Sequence, residues 1–135
     1  MRRAISRVHG LLATLVALAV VAQFLLAGAG VFGATSYQPH RIEGFLIALA
    51  ALVLLALALL GRLGRARTGR SALLVVLMIV QIALIESGQP WLEALHPVNA
   101  LLILGASVQL AIRGGLIGRG SRRPAGVQSS ITERS

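Results

Sequence analysis

The chain has 135 residues, 56% of them apolar and 13% charged, with a formal charge of +9 and a mean hydropathy of +0.84. Soluble domains carry about 25% charged residues, so this composition lacks the polar surface that a disordered chain or a water-soluble enzyme requires. Cysteine is absent, which excludes disulfides, thiolate metal sites and cysteine nucleophiles.

A helix that crosses a bilayer takes roughly 20 apolar residues at about 1.5 Å of rise each. In chain order, Arg2, Arg3 and Arg7 precede a first apolar run from Gly10 to Gly33. A second run covers Gly44 to Leu60, a third 71–88 and a fourth Pro97 to Ile112. All four are apolar around the whole helix rather than along one stripe, the pattern of membrane spans. The predicted fold class is therefore all-α, a four-helix transmembrane bundle over residues 1–118. Residues 119–135 are polar, rich in Gly, Ser and Arg, and predict a disordered cytoplasmic tail.

All 13 basic residues are Arg. They flank the first span, fill the loop at Arg62, Arg65, Arg67 and Arg70, and recur from Arg113 onward, leaving only Arg41 in the other loops. Short loops rich in Lys and Arg stay in the cytoplasm, so the expectation is a multi-pass bacterial inner-membrane protein with both termini inside. The positive charge is then membrane anchoring, and nucleic acid is not an expected partner. Glu43, Glu86 and Glu93 fall on the outer side with Tyr37 and Trp91, which suit the interface. A competing reading makes the first run a cleaved signal peptide ending near Ala27-Gly28-Ala29.

The chain also repeats. Gln23 and Gly30 are followed by His40-Arg-Ile-Glu-Gly-Phe-Leu-Ile, and Gln81 and Gly88 by His96-Pro-Val-Asn-Ala-Leu-Leu-Ile. Paired in this way, His40 matches His96 and Glu43 matches Asn99. Two copies of one helical hairpin, related by a pseudo-two-fold axis along the membrane normal, would put the two histidines at equal depth.

Two imidazoles facing each other across a bundle are what a b-type haem requires of its axial ligands. His40 and His96 are the candidate ligands, with Glu43 and Asn99, one turn further along the same face, as their supporting shell. The alternative makes both histidines interfacial residues at helix starts, with Pro97 in the first turn. His9 reads as an interfacial residue at the opposite end. Gln23 and Gln81 lie inside spans and predict interhelical hydrogen bonds, with Ser107 and Gln109 as weaker versions of the same. No ionisable residue sits near the midplane, which disfavours proton-coupled transport. No acid pair, Ser/His/Asp set or phosphate loop is present, so the sequence holds no complete catalytic motif and leans against an enzyme. Small residues four apart, such as Ala13 with Ala17 and Gly44 with Ala48, favour close helix packing, a homo-oligomer or a membrane partner protein.

The runs QFLLAGAGVFG from Gln23, HRIEGFL from His40 and LHPVNALLILG from Leu95 resemble a family of small four-span actinobacterial membrane proteins, a domain of unknown function. The resemblance covers about residues 7 to 113 and implies four helices in a bacterial inner membrane, with no established activity. The placement of His40 and His96 is also similar to that in b-type cytochrome bundles, although three histidines are too few for two haems. Two functions follow: a non-enzymatic accessory or scaffold component of the membrane, or a single-haem electron carrier.

Overall fold

The structure, a computed structural model, describes residues 1–113; the predicted tail at 119–135 lies outside the described residues. Among these, every regular element is a helix: α1 (Arg2–Val31), α2 (Gln38–Leu60), α3 (Arg65–Ile85), the single-turn α4 (Pro90–Glu93) and α5 (His96–Arg113). Four helical segments are long and apolar enough to cross a membrane, the last being α4 and α5 taken together. That is the architecture of a multi-pass membrane protein. The helices run beyond the apolar stretches because Arg, a good helix former whose long stem lies along apolar surface, continues α1 back to Arg2 and α3 back to Arg65.

Each long helix packs on two neighbours: α1 on α2 and α5, and α3 on α2 and α5. The four therefore form a ring in which α1 faces α3, and α2 faces α5, across the bundle axis. Ala13, Val16 and Val20 of α1 meet Ile47, Ala51 and Leu54 of α2, Leu74 and Met78 of α3, and Ile103 and Leu110 of α5 in one core. Ala13 and Ala51 are completely buried, and their small side chains let the helices approach closely. The outward faces are as apolar as the inside, with Leu18, Leu25, Leu49, Leu52, Ile79 and Leu101 all exposed. A belt of that extent is stable only against lipid or another apolar partner.

The hairpin turns follow from backbone chemistry. After α1, the Gly33 N–H donates to the Gly30 carbonyl and the Ala34 N–H to the Ala29 carbonyl, while Gly33 takes φ 71°. This is a Schellman closure with glycine in the left-handed position. The Tyr37 ring then packs on Gly30, where a Cβ would come within 2.9 Å of it. After α2 the same closure recurs, with Arg62 N–H to Leu59 and Leu63 N–H to Ala58. Here the left-handed residue is Arg62, at φ 47°, although Gly61 stands beside it. Gly61 is used for packing instead: a Cβ there would lie 2.6 Å from Ile5 Cγ2.

The Arg-rich end is tied across helices. Arg67 donates to Ser6 Oγ at 2.6 Å and to the Arg113 carbonyl at 3.4 Å, joining α3 to α1 and α5, and Arg2 donates to the Arg62 carbonyl at 2.7 Å. One sequence expectation is corrected at this end. His9 does not snorkel outward along the helix surface but is wholly buried inside the bundle, as is Ser71 of α3, and the two share a hydrogen bond of 3.1 Å across the bundle axis. Because α1 starts at Arg2, two turns of helix already precede His9 and carry it inside. Ser107 is also buried, but its hydroxyl donates to Leu104 in its own helix and makes no interhelical bond; Gln109 faces outward.

Candidate functional site

At the end opposite the Arg-rich one, the first turns of α2 and α5 come together across the axis. Both carry proline in the first turn, Pro39 and Pro97, whose fixed φ suits a helix start and whose missing N–H costs nothing there. That brings His40 and His96 together from diagonal helices. Their ring centroids are 6.2 Å apart with an interplanar angle of 63°. Both line a cavity of about 560 Å³ that reaches all four long helices, with Val20, Ile47, Met78 and Ile103 among its apolar walls and Tyr37, Arg41 and Glu86 among its polar ones.

Each histidine is held by the glutamine of the preceding long helix. The His40 Nδ1–H donates to the Gln23 carbonyl at 3.3 Å. In return, the Gln23 side-chain amide donates to the His40 carbonyl at 3.0 Å and to Glu43 Oε2 at 3.2 Å. In the second pair, Gln81 Nε2 donates to His96 Nε2 at 3.1 Å. Asn99 Nδ2 donates to Gln81 Oε1 at 2.7 Å and to the Leu77 carbonyl at 2.9 Å. Gln23 and Gln81 thus bridge helices. Glu43 and Asn99, by contrast, bond no imidazole; each meets the glutamine that does. That orienting role went to Gln23 and Gln81, and the available signal was the spacing of each glutamine from its histidine, 17 and 15 residues.

The hydrogen bonds decide what the two rings offer. In the neutral ring, the His40 Nδ1–H bond to a carbonyl leaves the lone pair of Nε2 free. His96 has its Nε2 lone pair engaged by an amide N–H, so the ring proton sits on Nδ1, a buried atom with no protein partner. A metal–imidazole bond is about 2 Å long, so two rings on opposite faces of one iron would have centroids about 6 Å apart, close to the observed spacing. Axial ligation also needs a lone pair from each ring. This arrangement supplies one lone pair and one N–H, so it does not fit a bis-histidine haem unless His96 releases Gln81 and turns over. Among the described residues, no three His, Asp or Glu side chains gather into a metal site.

Residues 23–88 match a family of unknown function (DUF6220). The match takes in Gln23, His40, Glu43 and Gln81 and stops before His96 and Asn99. No curated protein and no solved structure matches the chain.

Proposed function

We propose that the chain is a non-enzymatic accessory protein of the membrane whose His40–His96 cavity holds an apolar small molecule. The observation that carries this is the cavity itself. It has about 560 Å³ of space, within the roughly 300–1,000 Å³ usual for small-molecule sites, with apolar walls and a few convergent polar groups.

A direct test uses the full chain in lipid nanodiscs and 4-octylanisole, a lipophile with no hydrogen-bond donor. Saturable binding above its partition into empty nanodiscs is expected, near one per chain, and Ala100→Trp, which fills the cavity wall, should abolish it. Binding that never saturates, or that Ala100→Trp leaves intact, removes the ligand-cavity reading. A second reading, the single-haem electron carrier, is favoured by the 6.2 Å ring spacing and opposed by the Gln81 bond to His96. Its test is the oxidised and dithionite-reduced spectrum of protein from haem-replete cells. A Soret band lost in His40→Ala and His96→Ala would replace the apolar-ligand reading with haem; a featureless spectrum removes haem.

We also infer a bacterial inner-membrane location with both termini cytoplasmic, and descent from a duplicated hairpin. The concentration of Arg at one end of the bundle supports the orientation, and the parallel Gln23–Glu43 and Gln81–Asn99 bonds support the duplication. An alkaline phosphatase fusion at Gln38 should be active and one at Arg67 inactive; the reverse pattern overturns the topology.

A further inference from the structure

The glutamine hydrogen bonds close two of the four seams of the bundle near the cavity and leave the other two as ways into it. Gln23 bonds Glu43, so that flank of α2 faces α1. Arg41 and Phe45 stand two residues either side of Glu43, about 200° round a helix that turns roughly 100° per residue, and so lie on the flank toward α3. In the same way, Asn99 reaches Gln81 and the Leu77 carbonyl, which sets that flank of α3 against α5, and Ile82 and Glu86 lie round toward α2. Arg41, Phe45, Ile82 and Glu86 all line the cavity and are all exposed, so the cavity reaches the surface along the α2–α3 seam. The repeat-related seam, between α1 and α5, gives Phe24, Pro97 and Ala100 to the walls and no charge.

The α2–α3 mouth carries one cation and one anion. Arg41 is in the first turn of α2 and Glu86 caps the end of α3, which puts both at helix ends, the level of lipid headgroups. No ion pair joins either of them to another charge among the described residues. The apolar walls at Ile47 and Met78 lie deeper, about 9 and 12 Å further along their helices at ~1.5 Å per residue. Head at the interface and apolar body below it is the arrangement of a membrane lipid. A fatty acid or a purely anionic phospholipid would match Arg41 and set its charge beside Glu86. A headgroup with both a phosphate and a primary ammonium matches the two, because guanidinium pairs well with phosphate and an ammonium N–H donates to a carboxylate. We infer that the cavity takes an acyl chain of a phosphoethanolamine lipid through the α2–α3 seam, its phosphate at Arg41 and its ammonium at Glu86. The assignment rests on the ligand-cavity reading above.

The test uses 4-octylanisole as a reporter on the full chain, in nanodiscs of phosphatidylcholine and in discs with half of that lipid exchanged for phosphatidylethanolamine or for phosphatidylglycerol. Each is measured against empty discs of the same composition. Phosphatidylethanolamine is expected to weaken reporter binding about tenfold by competition, the equivalent of one charge-assisted hydrogen bond that the trimethylated headgroup cannot make. Phosphatidylglycerol should leave binding nearly as it is in phosphatidylcholine. In Arg41→Gln and in Glu86→Gln the effect of phosphatidylethanolamine should fall to about unity, with folding checked by circular dichroism. A measurement on the unaltered protein is independent of those variants: native mass spectrometry of the chain released from discs of equal phosphatidylethanolamine and phosphatidylglycerol should find one phosphatidylethanolamine retained. Equal competition by the two lipids, or reporter binding that no lipid changes, overturns the headgroup assignment while the cavity stands. Absence of saturable 4-octylanisole binding from every disc overturns the cavity reading along with it.

Discussion

Ser71→Leu is expected to destabilise the bundle by about 2–6 kcal/mol, combining an unpaired buried imidazole at about 1–3 kcal/mol with overpacking at about 1–3 kcal/mol. The reason is the position of the pair. His9 and Ser71 are both wholly buried, sit on helices that face each other across the axis, and share one hydrogen bond of 3.1 Å. His9 Nδ1 already has no protein partner, so losing the hydroxyl leaves neither ring nitrogen matched. Ser71→Ala separates the two contributions, because it removes the hydroxyl without adding volume. Unfolding in mixed detergent micelles, followed by circular dichroism, measures both variants. If Ser71→Ala unfolds at the same detergent fraction as the parent, the imidazole is not held by this contact and the account of this end fails.

Neighbouring residues at the end of α2 should respond in opposite directions. Gly61→Ala is expected to cost about 1–3 kcal/mol, the usual range for overpacking. Its Cβ would stand 2.6 Å from both Ile5 Cγ2 and the Leu57 carbonyl, and the carbonyl belongs to the last turn of α2. Arg62→Gly is expected to stabilise by about 1 kcal/mol, because Arg62 occupies left-handed backbone at φ 47°, where a Cβ is unfavourable by about 1–2 kcal/mol. The Arg62 carbonyl that accepts from Arg2 is untouched by the change. The same micelle titration reads both. A loss of stability in Arg62→Gly would mean that its side chain contributes more than its backbone strain removes.

The polar contacts near the histidines were partly legible in advance. A glutamine deep in an apolar helix has to find a partner, and Gln23 and Gln81 do, each on the following long helix. The repeat paired His40 with His96, and their rings do come to 6.2 Å. What spacing along the chain could not give is which group each imidazole bonds. Glu43 and Asn99 share a helix face with their histidines, yet a carboxylate or amide one turn away competes with every group on the adjacent helix, and the adjacent glutamine is nearer. His9 was misjudged for a related reason. An apolar run marks where hydrocarbon must be, while the helix itself continues through arginines that are good helix formers, so the run's edge is not the bundle's edge.

The sequence by itself determined the class of protein: four apolar stretches, an Arg-rich end and no cysteine leave a helical membrane bundle as the stable solution, because solvation of the backbone and side chains depends on composition and length alone. The tertiary structure alone decided the ring order of the helices, and with it that His9 meets Ser71 across the axis. It also decided the tautomer at His96, through a chain of hydrogen bonds that starts at the Leu77 carbonyl. Such choices depend on distances and directions between helices, which no periodicity along one chain encodes.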